Sequence, residues 1–165
     1  MNQGQFTRLV EEFCKHCGLP EPERILHGGP IAVNDIVFSL IYSEEVNPDA
    51  IFAYADFGEA PRGSETDVFR TLLETNLSLY DGKGPTFAIS PETGRVVLSA
   101  CYVIADTPPD ELRKHLVKMA EQAKAWRADP LFGSSKQDAQ RPRPSATAFQ
   151  RPGKRLSGKE HVRLR

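Results

Sequence analysis

Nowhere in this chain does an apolar run approach the roughly 20 residues that cross a bilayer as a helix. Phe6 to Gly18, the first apolar-rich stretch, is amphipathic, whereas a secretory leader is continuously apolar. Both absences point to a soluble, cytoplasmic protein without membrane insertion. Only three cysteines occur, Cys14, Cys17 and Cys101, and an odd number in a chain without an export signal argues against a disulfide framework. No serine or cysteine sits in a nucleophile motif, so no enzyme, metal or cofactor is expected.

Three local patterns carry a chemical alternative. Cys14-Lys15-His16-Cys17 has the Cys-x-x-Cys spacing of redox and metal sites. It falls in the last turn of a helix, however, where the dipole disfavours a thiolate, and His27, His115 and His161 have no ligand spacing with it. The expected arrangement is structural, with Cys17 buried beside Phe13, Cys14 on the flank and His16 solvated. Gly82-Lys83-Gly84 lacks the Gly-x-x-x-x-Gly-Lys-Ser/Thr frame of a phosphate loop and reads as a turn. The acidic pairs Glu11-Glu12 and Glu44-Glu45 read as solvated faces rather than acid/base machinery.

The net charge of −1 conceals a division. Through Phe132 there are 12 Lys+Arg against 20 Asp+Glu, a net −8; from Gly133 onward there are 9 against 2, a net +7. Residues 1–130 read as one domain and 131–165 as a basic tail rich in Pro, Arg and Ser. That tail buries too little apolar area to offset backbone ordering at about 1–2 kcal/mol per residue, so disorder is expected. Its cations suit an acidic partner, but Phe149 is its only aromatic, and a single-strand nucleic-acid binder interleaves several.

Phe6, Leu9, Val10, Phe13 and Cys17 recur at three- and four-residue spacing and predict a first helix ended by Gly18 and Pro20. Residues 19–30 read as a connection. Ile31 to Val33 leads through Asn34-Asp35 to a strand at Ile36 to Tyr42. Ile51 to Phe57 alternates, with Ile51, Ala53, Ala55 and Phe57 on one face and Phe52, Tyr54 and Asp56 on the other. A second helix is expected from Ser64 or Thr66 to about Leu79, with an apolar stripe wider than one core contact needs. Pro91-Glu92-Thr93-Gly94 joins strands from Pro85 to Ser90 and from Arg95 to Ile104. Thr107 is the expected cap of a third helix with Pro108 at its first position, and Leu112, Leu116, Met119 or Ala120, Ala123 and Trp126 form its stripe. The order is α-βββ-α-ββ-α, an α+β fold with an antiparallel sheet and three helices.

Leu72-Leu73-x-x-Asn76-Leu77, Gly84-Pro85-Thr86, Pro91 to Arg95 and Glu121-Gln122-Ala123 to Trp126 together resemble the CesT/Tir-chaperone family, over roughly residues 4–128. These are class I chaperones of type III secretion effectors. The resemblance implies the same element order and a homodimer in a bacterial cytoplasm. It further implies a chaperone that holds an extended N-terminal region of a secreted effector soluble and secretion-competent, and that contacts secretion-apparatus components. By resemblance, Phe69, Leu72, Leu73, Asn76, Leu77 and Tyr80 are assigned to the dimer surface. Phe6, Leu9, Val10, Phe13, Val37, Ile41 and Phe52 are assigned to client grooves; monomer core explains these positions about as well. The alternative is a nucleic-acid-associated or regulatory protein that uses the fold to dimerise and the tail as its contact.

Overall fold

The computed structural model describes residues 3–79, 81 and 84–132, all within the unit Met1–Gly133. Tyr80, Lys83 and the basic tail from residue 133 lie outside the described residues, and with them the expectations placed there.

Helix α1 (Gln3–Cys17) buries Phe6, Leu9, Val10, Phe13 and Cys14, one stripe at helical spacing. Gly18 takes φ +66°, and the Leu19 N–H donates to the Cys14 carbonyl at 2.9 Å, closing a Schellman stop. The connection read at residues 19–30 contains a five-residue helix, α2 (Pro22–Leu26), so the described residues form four α-helices rather than three. Pro22 presets its first turn, and buried Ile25 anchors it.

Strands β1 (Ile31–Val33), β2 (Ile36–Tyr42) and β3 (Ala50–Gly58) form an antiparallel meander. Asn34 and Asp35 both have positive φ, +50° and +64°, the two-residue turn whose twist matches that of the strands. Helix α3 (Glu65–Leu79) then leads to β4 (Thr86–Ile89) and β5 (Val96–Val103). The β4–β5 turn closes through Ser90 N–H to the Arg95 carbonyl at 2.9 Å, with Gly94 at φ +68°. A 3-10 turn (Ile104–Asp106) precedes α4 (Pro109–Ala128).

The cap of α4 differs from expectation. Pro108 occupies the N-cap, with no side-chain cap bond, and the Thr107 hydroxyl donates backward to the Val103 carbonyl at 2.8 Å. Two consecutive prolines, Pro108 and Pro109, lack the N–H groups a cap would satisfy, so the threonine ties the 3-10 turn to β5 instead.

The sheet order is β1-β2-β3-β5-β4. Ile36, Phe38, Leu40, Ile51, Ala53, Ala55, Phe57, Val96 and Leu98 point to the covered face, where they meet the stripes of α1 and α4. Val37, Ile41, Phe52, Tyr54, Asp56 and Cys101 point to the other, as alternation requires. A bulge at Asp56 to Gly58 interrupts the β3–β5 ladder. Arg127, in the last turn of α4, donates to the Phe57 carbonyl at 2.8 Å and the Asp56 carbonyl at 3.0 Å. Arg95 grips the Asp56 carboxylate at 2.8–3.2 Å.

Candidate functional site

The two edges of the sheet differ. In β4, Ser90 and Arg95 form the hydrogen-bonded pair nearest the turn, so pairing alternation turns the backbone of Phe87 outward. Asn76 of α3 meets it there. Its Oδ1 accepts from the Phe87 N–H at 2.7 Å and its Nδ2 donates to the Phe87 carbonyl at 3.0 Å. One side-chain amide thus takes the place of a neighbouring strand at Phe87, while Ile89, which shares its outward phase, is exposed.

At the opposite edge the two-residue turn makes Val33 and Ile36 the hydrogen-bonded pair, and Ile31 and Phe38 the next one. Ala32 therefore turns its N–H and C=O away from β2, and it is exposed. Among the described residues no other strand pairs with β1. Beside it lies a groove of about 260 Å³ between Phe13, Cys17 and Leu19, the β1 residues, and Arg113, Leu116 and Val117 of α4. That is below the roughly 300–1,000 Å³ of small-molecule sites and of a size to seat one or two apolar side chains. A second groove, about 390 Å³, runs on the other side of α1, between Arg8, Leu9 and Glu12 and the segment Ile104 to Pro109.

The sequence-assigned client residues fall into two groups. Phe6, Leu9, Val10 and Phe13 are buried in the core of the single chain. Only Phe13, 1% exposed, and Leu9, 6% exposed, reach the floors of the two grooves, while Phe6 stacks on Tyr42 at 5.2 Å. Val37, Ile41 and Phe52 lie on the uncovered sheet face, Ile41 directly opposite Phe52, with Val37 and Ile41 exposed and Phe52 half-buried. The structure thus separates helix residues from strand residues.

The residues assigned to a dimer surface also divide. Leu72 is buried and Phe69 half-buried against the core, whereas Leu73 and Leu77, one turn apart, are 69% and 80% exposed. Asn76 is committed to Phe87, a role that sequence reasoning missed because nothing in helical periodicity marks a partner 11 residues away.

The cysteine motif is resolved with its two members exchanged. Cys14 is buried and Cys17 half-exposed, because the α1 stripe runs through the earlier position. Burial, and then the neighbouring Cys17, pushes the Cys14 thiol up; burial also raises Cys17, against a smaller pull from Arg113. Neither is poised as a thiolate. His16 is not simply solvated: its Nε2 lies 3.7 Å from Asp110 Oδ1. Among the described residues no cluster of His, Cys, Asp and Glu has the makings of a metal site, and no helix is long and apolar enough to cross a membrane.

With this geometry, the profile of the Tir chaperone protein (CesT) family matches residues 8–127. The chain belongs to that family. Solved structures share the fold of this Tir chaperone. A chain of the crystal structure of the ExsC-ExsE complex aligns with TM-score 0.60 at 20% identity, covering 76% of this chain and 93% of that one. A chain of the Yersinia pestis type III secretion chaperone SycH in complex with a fragment of YscM2 aligns with TM-score 0.52 at 18% identity, covering 73% and 98%. A chain of the HopA1-SchA chaperone-effector complex gives TM-score 0.55 at 11% identity, covering 76% and 95%. At these identities the likeness is one of fold. A search of curated proteins finds no match.

Proposed function

We propose that this chain, a type III secretion chaperone of the Tir chaperone family, holds an extended segment of an effector as an added strand on β1. The observation that carries this reading is the unequal treatment of the two edges: Asn76 occupies the outward backbone of Phe87, and nothing among the described residues occupies that of Ala32. An added strand would hydrogen-bond to the Ala32 backbone, and its alternate apolar side chains would enter the groove floored by Phe13. Solved structures of like fold, a chaperone-effector complex and a type III secretion chaperone bound to a fragment of YscM2, support the class of partner. The reading calls for no catalytic group and places the protein in the bacterial cytoplasm, where effectors await export.

The companion proposal is a homodimer through the exposed face of α3. Full burial of a leucine side chain is worth about 1.5–3 kcal/mol, and Leu73 and Leu77 stand exposed side by side among the described residues.

The test of the client site is Ala32→Pro, which removes the outward N–H and leaves the β1–β2 ladder bonds intact. An effector identified by co-purification from the native host should bind this variant at least tenfold more weakly, with unchanged circular dichroism. Undiminished binding would sink strand addition at β1. Leu73→Glu with Leu77→Glu should halve the mass seen by light scattering at micromolar concentration, and an unchanged mass would remove α3 from the dimer surface.

A further inference from the structure

Arg113 is the cation at the rim of the groove beside β1. It is exposed, and it enters none of the ion pairs found among the described residues. Asp110, a carboxylate on which Arg113 acts electrostatically, is already held by Lys114 at 2.6 Å. The neighbouring charged groups are thus satisfied and Arg113 is not. The rest of the groove is apolar apart from Asn34 and backbone, with Phe13, Leu116 and Val117 inside.

We infer that Arg113 selects the client: the strand added at β1 carries a carboxylate close to the apolar residue that fills the groove. The inference rests on the assignment of β1 as the client edge. Arg113 and Val117 are separated by one helical turn, about 6 Å at 1.5 Å per residue. Same-face side chains on a strand recur every two residues, about 6.6 Å apart. The two spacings agree, so the favoured pattern is an apolar residue and an Asp or Glu two positions away on the same face. A guanidinium presents a planar fork to a carboxylate, and a lysine or arginine at that client position would meet a like charge. Arg113 acts as a specificity residue for the bound segment, since it makes no hydrogen bond or ion pair among the described residues.

The experiment pans a phage-displayed random 12-residue library against the full chain, then measures enriched sequences by fluorescence anisotropy as synthetic Glu, Gln and Lys versions. The wild type should enrich the apolar-x-acid pattern and bind the Glu peptide about two- to fivefold more tightly than the Gln peptide, the range of a solvent-exposed ion pair. Arg113→Glu should invert the order in favour of Lys, and Arg113→Gln should flatten it, each with wild-type circular dichroism. Peptides that lose binding to Ala32→Pro but keep the same acid preference against Arg113→Glu would overturn the Arg113 inference and leave the β1 edge standing. Peptides that bind Ala32→Pro undiminished, or a library that enriches nothing, would overturn both.

Discussion

Replacing Asn76 with alanine removes two hydrogen bonds at once, at 2.7 and 3.0 Å, and leaves the Phe87 N–H and C=O without partners. A hydrogen bond of this kind contributes about 0.5–1.5 kcal/mol net, so the pair is worth about 2 kcal/mol. With an unfolding entropy of about 2.1 cal/mol/K per residue, a unit the size of Met1–Gly133 should then melt about 7 °C lower. Urea denaturation should show a lower midpoint with an unchanged slope, because the change exposes no additional surface in the unfolded state. Both proteins must be compared at equal concentration, since any self-association adds a mass-action contribution. Hydrogen exchange localises the effect: the Phe87 amide should lose protection more than its neighbours in β5. Asn76→Asp is the sharper variant. Its carboxylate still accepts from the Phe87 N–H but faces the Phe87 carbonyl with negative charge and no donor, so it should recover little of the loss. A melting point within 1 °C of wild type for Asn76→Ala, with Phe87 still protected, would refute the idea that this side chain covers the β4 edge at Phe87.

Trp126 is buried against Phe57, ring centroids 5.9 Å apart, and its indole N–H has no hydrogen-bond partner among the described residues. Trp126→Phe keeps most of the ring packing and removes an unpaired donor, so it should cost less than about 1.5 kcal/mol, against about 3–5 for Trp126→Ala. Equal costs in chemical denaturation would mean that the N–H is satisfied after all. The Asp110 carboxyl is held below its ordinary range, first by the hydrogen bond from Lys114. A depressed carboxylate stabilises the fold above its unfolded-state pKa of about 4, and that stabilisation is lost as pH falls through the lower folded value. Lys114→Gln should therefore lower stability slightly at pH 7, less so in 1 M salt, and the penalty should shrink as pH falls through the lowered folded value. A penalty that does not shrink on acidification would contradict this origin.

Where period or turn chemistry was strong, the sequence was legible. Ile51, Ala53, Ala55 and Phe57 face the core together as their alternation requires, and Pro91 to Gly94 closes the expected hairpin. Helix α2 was hidden because its five residues carry a single core anchor, Ile25, too little for a helical period to register. Cys14 and Cys17 were exchanged because a stripe fixes a helix face only to within a residue position until its partner, here α4, is in place. The grooves were the least legible part. Phe6, Leu9, Val10 and Phe13 form an amphipathic stripe whether they meet a client or their own sheet, and only the three-dimensional arrangement separates core from groove floor. Asn76 and Ala32 acquire their meaning from strand pairing phase, which depends on turn geometry and not on side-chain identity.

The unequal edges also set an order of preference. A strand added over β4 must first displace the Asn76 amide from Phe87, although Ile89 beyond it is open, whereas the outward backbone of Ala32 is met by nothing among the described residues. The open strand is only three residues long, and short edges limit runaway pairing between copies. On the proposed reading, a client strand meets its first open place at β1, and the shortness of that edge keeps copies of the chain from pairing with one another.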